Sequence, residues 1–188
     1  MKVRDSGMPE QKYWESLFNV ELILDKMEIN QDVNSLVEFG CGYGTFTLPS
    51  AERISGNIIA IDIEDEMLNI ASSRTVSKNN ITFVKRDFIA NGTGIPNNSV
   101  DYVMLFNILH HIKPLELLDE AYRILKAGGK AGLIHWNYDP TTPRGPSMDI
   151  RPKPIEMKEW ALEAGFKQIG YNYINLPPYH YGFVIHKK

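Results

Sequence analysis

The chain has 188 residues, of which 43% are apolar and 23% charged, the length and balance of one ordinary folded domain and not of a disordered or fibrous chain. Its net charge of −3 gives no support for an extensive nucleic-acid surface, which needs a basic face. No apolar run approaches the length that would span a bilayer.

Residues Pro9–Met27 carry apolar side chains at Trp14, Leu17, Phe18, Leu22 and Leu24 among charges. This spacing predicts one amphipathic helix with Pro9 in its first turn and Ser6 or Gly7 before it. Residues Ser35–Phe39 (SLVEF) read as a short strand, followed by a glycine-rich turn, GCGYG, and a helix over Phe46–Ile54 with Pro49 in its first turn. Asn57–Ile63 is a nearly continuous apolar run, as for a strand buried on both faces. Glu64–Arg74 follows as a helix with acids in its first turn.

Ile81–Asp87 and Val100–Ile108 are further strands, the second introduced by the polar turn IPNNS. Pro114–Gly129 reads as a helix opened by proline and closed by Gly128 and Gly129. Lys130–Trp136 is a fifth strand. A helix over Pro154–Gly165 then precedes two strands, Lys167–Ile174 and Tyr181–Lys187. The segment NLPPYH between them is too short for a parallel crossover, so this pair is predicted antiparallel. Strand and helix otherwise alternate, which predicts an α/β fold with a mostly parallel sheet and helices on both faces.

One cysteine, Cys41, leaves no intramolecular disulfide, and the N-terminus has charges and a proline where a signal peptide needs an apolar stretch. Both features predict a cytoplasmic protein. Five histidines and one cysteine show no metal-ligand spacing, so no metal site is predicted.

In an open parallel sheet, ligands bind beyond the carboxyl ends of the strands. The loops that meet this condition are Gly40–Thr45, Asp62–Met67, Asp87–Phe88 and Asn107–His111. Glycines in the first allow close backbone approach. Asp62 ends the second strand 20 residues after Gly42, where a carboxylate can accept from both hydroxyls of a ribose; its alternative is a helix N-cap. Thr45 stands where the dinucleotide pattern G-x-G-x-x-G requires its last glycine, which weighs against a nicotinamide cofactor.

EFGCGYG resembles the first motif of class I S-adenosylmethionine-dependent methyltransferases. AIDIEDEML is similar to their second motif, RDF to the acidic third, DYVMLFNILHHI to the fourth and AYRILKAGGKAGLI to the helix and strand beyond. The likeness runs from about Ser35 to Trp136 in order and spacing, and departs at Ala127, where many relatives have proline before the paired glycines. It implies a Rossmann-like seven-stranded sheet with an antiparallel C-terminal strand, in one domain with a helical lid over residues 1–30. S-adenosyl-L-methionine is the implied cofactor.

On that likeness Glu38, Gly40, Cys41, Gly42, Gly44 and Asn107 meet the methionine part. Asp62 takes the ribose, Ile63 and Met67 flank the adenine, Asp87 accepts from its amino group beside Phe88, and Tyr13 and Trp14 cover the site. Bland alternatives stand beside these: a surface acid for Glu38, a turn residue for Asp87, core packing for Met67, Tyr13 and Trp14, and small filler for Cys41.

Methyl transfer needs a base only if the acceptor must lose a proton. His110 and His111 follow the fourth strand and His135 ends the fifth; His111 and His135 are the candidate bases, with packing roles as the alternative. Residues 137–154 form a long proline-rich segment expected over the acceptor side, where Arg144, Arg151 and Lys153 meet either an anionic acceptor or solvent. The Asn/Asp-Pro-Pro-Tyr motif of base N-methyltransferases is absent from the fourth strand's end, and NLPPY is expected to be a rigid turn. The predicted activity is methylation of a small-molecule acceptor, with a partner subunit allowed. The alternatives are a protein- or RNA-directed methyltransferase, a non-catalytic cofactor-binding regulatory module and, less favoured, a nicotinamide-dependent oxidoreductase.

Overall fold

A computed structural model describes residues 7–75, 79–167 and 173–188. The five apolar runs form the parallel strands β1 (Ser35–Phe39), β2 (Asn57–Asp62), β3 (Ile81–Lys85), β4 (Val100–Phe106) and β5 (Leu125–Trp136). Two more, β6 (Ile174–Leu176) and β7 (His180–His186), complete a seven-stranded sheet of order β3-β2-β1-β4-β5-β7-β6. Strand β7 runs antiparallel to both β5 and β6, as the short NLPPYH connection requires. Of the predicted strand Lys167–Ile174, residues 168–172 lie outside the described residues, as does Ser6 at the head of the chain.

Alternate residues on each strand face opposite layers. Val37, Phe39, Val103 and Leu105 pack with Leu117, Leu118 and Ala121 of helix α6 (Pro114–Ile124) and with Met157 and Ala161 of α7 (Pro154–Glu163). Leu36, Ile58, Ala60 and Met104 pack on the other side with Ile23 and Leu24 of α2 (Val20–Lys26), Ala51 of α3 (Thr47–Arg53) and Leu68 of α4 (Asp65–Ser73). Both faces of the parallel strands are therefore covered, the usual fate of such sheets.

Two predicted helices are corrected. The single N-terminal helix is two, α1 (Gln11–Glu15) and α2. Asn19 divides them: its side-chain oxygen accepts from Leu22 N at 3.2 Å, offering the backbone a cap in place of continued helix. Helix α6 ends at Ile124 rather than Gly129, because Leu125 pairs with Val100 and the chain is already strand. Gly128, at φ +77°, serves the irregular start of β5 and not a helix terminus. A four-residue helix, α5 (Phe88–Asn91), was not predicted; it starts at Asp87, whose carboxylate accepts from Ala90 N at 3.0 Å.

Candidate active site

The chain runs outward from β1 through β2 to β3, then returns to place β4 on the other side of β1. The loops after β1 and β4 thus diverge, and a crevice opens between them at the carboxyl ends of the strands. A cavity of about 430 Å³ lies there, within the size range of small-molecule sites. Its floor is built from four strand tips, with Glu38 near the end of β1 and Gly40–Gly42 after it, Asp62 ending β2 with Ile63 next, Asp87 and Phe88 after β3, and Asn107 after β4. Glu38, Asp62 and Asp87 therefore face one common cavity.

The glycine loop is held from below and from the side. Gly40 N and Cys41 N donate to Ile61 O at 2.8 and 3.0 Å. Asp62 accepts from Gly42 N at 2.8 Å with one carboxylate oxygen and from Glu64 N at 3.0 Å with the other, so it ties the first two loops together. Burial raises the Asp62 carboxyl above its usual range, and the two backbone donors oppose that shift. A Cβ on Gly40, at φ +76°, would approach Ile108 Cδ1 to 3.0 Å, so this position needs glycine for conformation and for room.

Glu38 is buried at the end of β1. Desolvation pushes its carboxyl up to about 8; a hydrogen bond from Thr47 Oγ1 pulls the other way, and the Asp62 charge adds to the rise. A carboxyl in that state is poised to ionise when a cation arrives. Cys41 is buried, and burial, then the charges of Glu38 and Asp62, drive its thiol far up. It is no thiolate nucleophile. Asn107 adopts φ +57° at the tip of β4, and its N–H donates to Ile134 O at 2.8 Å. Both atoms of its side-chain amide are buried on the cavity wall without a hydrogen-bond partner among the described residues. Thr45 Oγ1 is in the same condition.

Not every predicted residue reaches the cavity. Tyr13 is 44% exposed and points away, while its neighbour Trp14 lines the site. Gly44 packs against α4, where a Cβ would meet Ala71 Cβ at 3.2 Å. Met67 is buried in α4 and is not on the wall. His111 lines the cavity and accepts from Lys113 N at 3.1 Å through Nδ1. His135 is fully buried behind the wall, and its Nε2 lies 3.2 Å from Nδ1 of His110, which does line the cavity.

The opposite wall comes from outside the sheet. Gly7, Met8 and Trp14 cover it from the N-terminal side, and Arg144, Gly145, Pro146, Ser147 and Ile150 from the proline-rich loop. Arg144 donates to Gly7 O, joining the two halves of this cover. Tyr43 Oη donates to Pro9 O at 2.9 Å, anchoring the N-terminal half to the glycine loop. Arg151, by contrast, is a buried staple. Its guanidinium donates to the carbonyls of Asn137, Asp139 and Pro146 and to Thr142 Oγ1, at 2.6–3.0 Å. It holds the loop and has no room for an acceptor. Sequence reasoning missed Met8, Thr45 and Ile150 on the wall, since no local pattern marks which loop residue turns inward.

An open α/β sheet with a glycine-gripped cavity at its switch point and acids from three strand tips defines a nucleoside-type ligand site. Residues 37–133, just over half of the chain, match the methyltransferase domain family, and the chain belongs to that family. It is 28% identical over 163 residues to an uncharacterised protein of Methanocaldococcus jannaschii, a match covering 85% of this chain and 66% of that one. It is 30% identical over 116 residues to a demethylmenaquinone methyltransferase of Lactococcus lactis, covering 58% of this chain and 44% of that one. The chain thus spans two thirds or less of the length of these relatives. The crystal structure of an S-adenosylmethionine-dependent methyltransferase from Aquifex aeolicus shares the fold, with a TM-score of 0.79 at 22% identity over 94% of this chain and 93% of that one. Among the described residues no helix is long and apolar enough to cross a membrane.

Proposed function

We propose that the chain is an S-adenosylmethionine-dependent methyltransferase acting on a small, largely apolar acceptor. The observation that carries this reading is the convergence of Glu38, Asp62 and Asp87 with the Gly40–Gly42 loop on one cavity. The residues present fit the cofactor. Its ammonium and sulfonium are cations, and the floor offers a buried acid, Glu38, together with the amide of Asn107 and hydroxyl of Thr45, which have no hydrogen-bond partner among the described residues. In this reading Glu38, Asn107 and Thr45 hold the amino-acid end. Asp62 takes the ribose with Ile63 beside the ring, and Asp87 and Phe88 border the adenine. When bound, the cofactor supplies a methyl group made electrophilic by a positively charged sulfur. The chain's own part is to align the two reactants and exclude water, which together lower such a barrier by about 7–11 kcal/mol.

A small acceptor is favoured by the cover. Trp14 and Met8 on one side and Pro146 and Ile150 on the other border the cavity, with Trp136 within, an apolar rim that suits a small apolar acceptor better than a charged nucleic acid. The N-terminal segment and the proline-rich loop act here as a two-part lid. The demethylmenaquinone methyltransferase name of one relative is consistent with an apolar acceptor.

Calorimetry tests the reading. The chain binds S-adenosylmethionine and its product S-adenosylhomocysteine and does not bind NAD. Asp62→Ala weakens both ligands at least about tenfold, since it removes a charge-assisted acceptor and unties the glycine loop from β2. Tight NAD binding without S-adenosylmethionine binding overturns it.

A further inference from the structure

The acceptor half of the cavity holds one polar arrangement that cofactor binding does not use. His110 lines the wall, and its Nδ1 sits 3.2 Å from Nε2 of His135, with the rings edge to face at 73°. His135 belongs to β5, in the middle of the sheet, and is 0% exposed. We propose that His110 is a catalytic residue that accepts, through Nε2, the proton an acceptor loses on methylation, and that His135 is the positioning residue that fixes its tautomer. The acceptor class follows from the same wall: an apolar, flat molecule whose nucleophilic atom carries a dissociable proton, a phenol-like hydroxyl above all. The inference rests on the methyltransferase reading above and deepens it.

The geometry separates the three histidines. His135 is sealed from the cavity, and His111 already engages Lys113 N in its own turn. His110 alone combines access to the cavity with a rigid partner behind it. A neutral imidazole bears one proton. If Nδ1–H of His110 donates to Nε2 of His135, Nε2 of His110 holds a lone pair for the cavity. The apolar flanks are Trp14, Trp136, Ile108 and Ile150.

Burial keeps both rings neutral in the resting cleft. Burial, and the neighbouring His111, hold His110 down at about 4, so at neutral pH the lone pair is present. The surroundings of His135 keep it neutral at neutral pH: burial first, with the nearby Arg151 cation adding to it. His135 therefore orients the ring without relaying the proton, which leaves His110 for solvent at the cavity mouth. In the balanced step one acceptor–hydrogen bond and one sulfur–carbon bond break, and one acceptor–carbon bond and one nitrogen–hydrogen bond form. The positive charge lost by sulfur appears on His110, so the cleft's net charge is unchanged through the transfer.

The test uses the full chain labelled with ¹⁵N-histidine and saturated with S-adenosylhomocysteine. Side-chain nitrogen shifts across a pH titration are expected to show His110 with Nδ1 protonated and Nε2 bare. His135→Phe shifts His110 toward the Nε2-protonated form, and His135→Gln, which keeps a polar partner, restores part of the original state. Backbone amide spectra report that each variant is folded. With methyl-labelled S-adenosylmethionine and a panel of one- and two-ring phenols, His110→Gln is expected to lose roughly 100-fold or more in kcat, with S-adenosylhomocysteine affinity kept within a few-fold. An Nε2-protonated His110 in the parent, a tautomer unmoved by His135→Phe, or an undiminished kcat overturns the proton-acceptor role. Failure of the parent to label any phenol overturns the acceptor class. Failure to bind S-adenosylhomocysteine overturns the methyltransferase reading instead.

Discussion

A carboxyl at the end of an apolar strand is costly to ionise, and Glu38 shows how that cost becomes a binding device. In the free protein its carboxyl is raised to about 8, so at neutral pH it is mostly protonated. Its neutral form favours the folded state below the ordinary carboxylate range, and that contribution is lost as pH rises through about 8. A cationic ligand end demands the ionised form. Binding of S-adenosylmethionine near pH 7 should therefore release a proton, and affinity should rise with pH until it levels off above about 8. Calorimetry in buffers of different ionisation enthalpy should give a release of close to one proton for the parent and none for Glu38→Gln; equal values for the two would refute the assignment. Glu38 was legible in the sequence because an acid inside an apolar run asks for a reason. Which of the three histidines combines the cavity with a partner behind it was not legible: His110 and His111 both line the wall, but only contacts distant in sequence pair His110 with His135 while His111 accepts from Lys113 N.

At the scale of elements, the strands and their order were the readable part. Apolar runs of strand length separated by amphipathic stretches have few other solutions. The errors fall at boundaries and in loops. Asn19 splits a helix whose apolar spacing is otherwise continuous, because a local side-chain acceptor competes with the helical bond. Leu125 ends α6 early because Val100 offers it a strand partner 25 residues away in sequence, a long-range pairing that local propensity cannot see. The loop after β5 is the clearest case. Arg144 and Arg151 are seven residues apart and look alike in sequence, yet one lines the cavity and the other is buried among carbonyls. Arg151→Ala strips partners from the carbonyls of Asn137, Asp139 and Pro146 together and should cost about 2–4 kcal/mol. Limited proteolysis should then cut within residues 139–150 in the variant and spare the parent. Equal resistance would mean the loop is held by other contacts.

For the whole molecule, segments far apart in the chain meet at the carboxyl ends of the parallel strands. The pairing of β5 with antiparallel β7 brings His180 beside Trp136, with its ring 4.5 Å from Phe18 and 4.2 Å from Trp136. His110, His135 and His180 are all held below their ordinary range by burial, His110 to about 4 and His180 to about 3. The unfolded chain binds protons at these sites near pH 6.5 and the folded one does not. Their contribution to stability is therefore full above that pH and is lost as pH falls through it toward about 4. Thermal unfolding followed from pH 7 to 4 should show a falling Tm, and His180→Phe, which keeps the aromatic stack without the titrating nitrogen, should flatten the fall; an unchanged slope would exclude His180 as a source. From the sequence alone came the alternating strands and helices, the glycine turn and the acids that end three strands, because those features are local and periodic. The tertiary structure decided which side chains share the cavity, which histidine has a partner behind it and which arginine is a staple. Those outcomes depend on how distant segments pack on a common sheet, and no window of neighbouring residues carries that information.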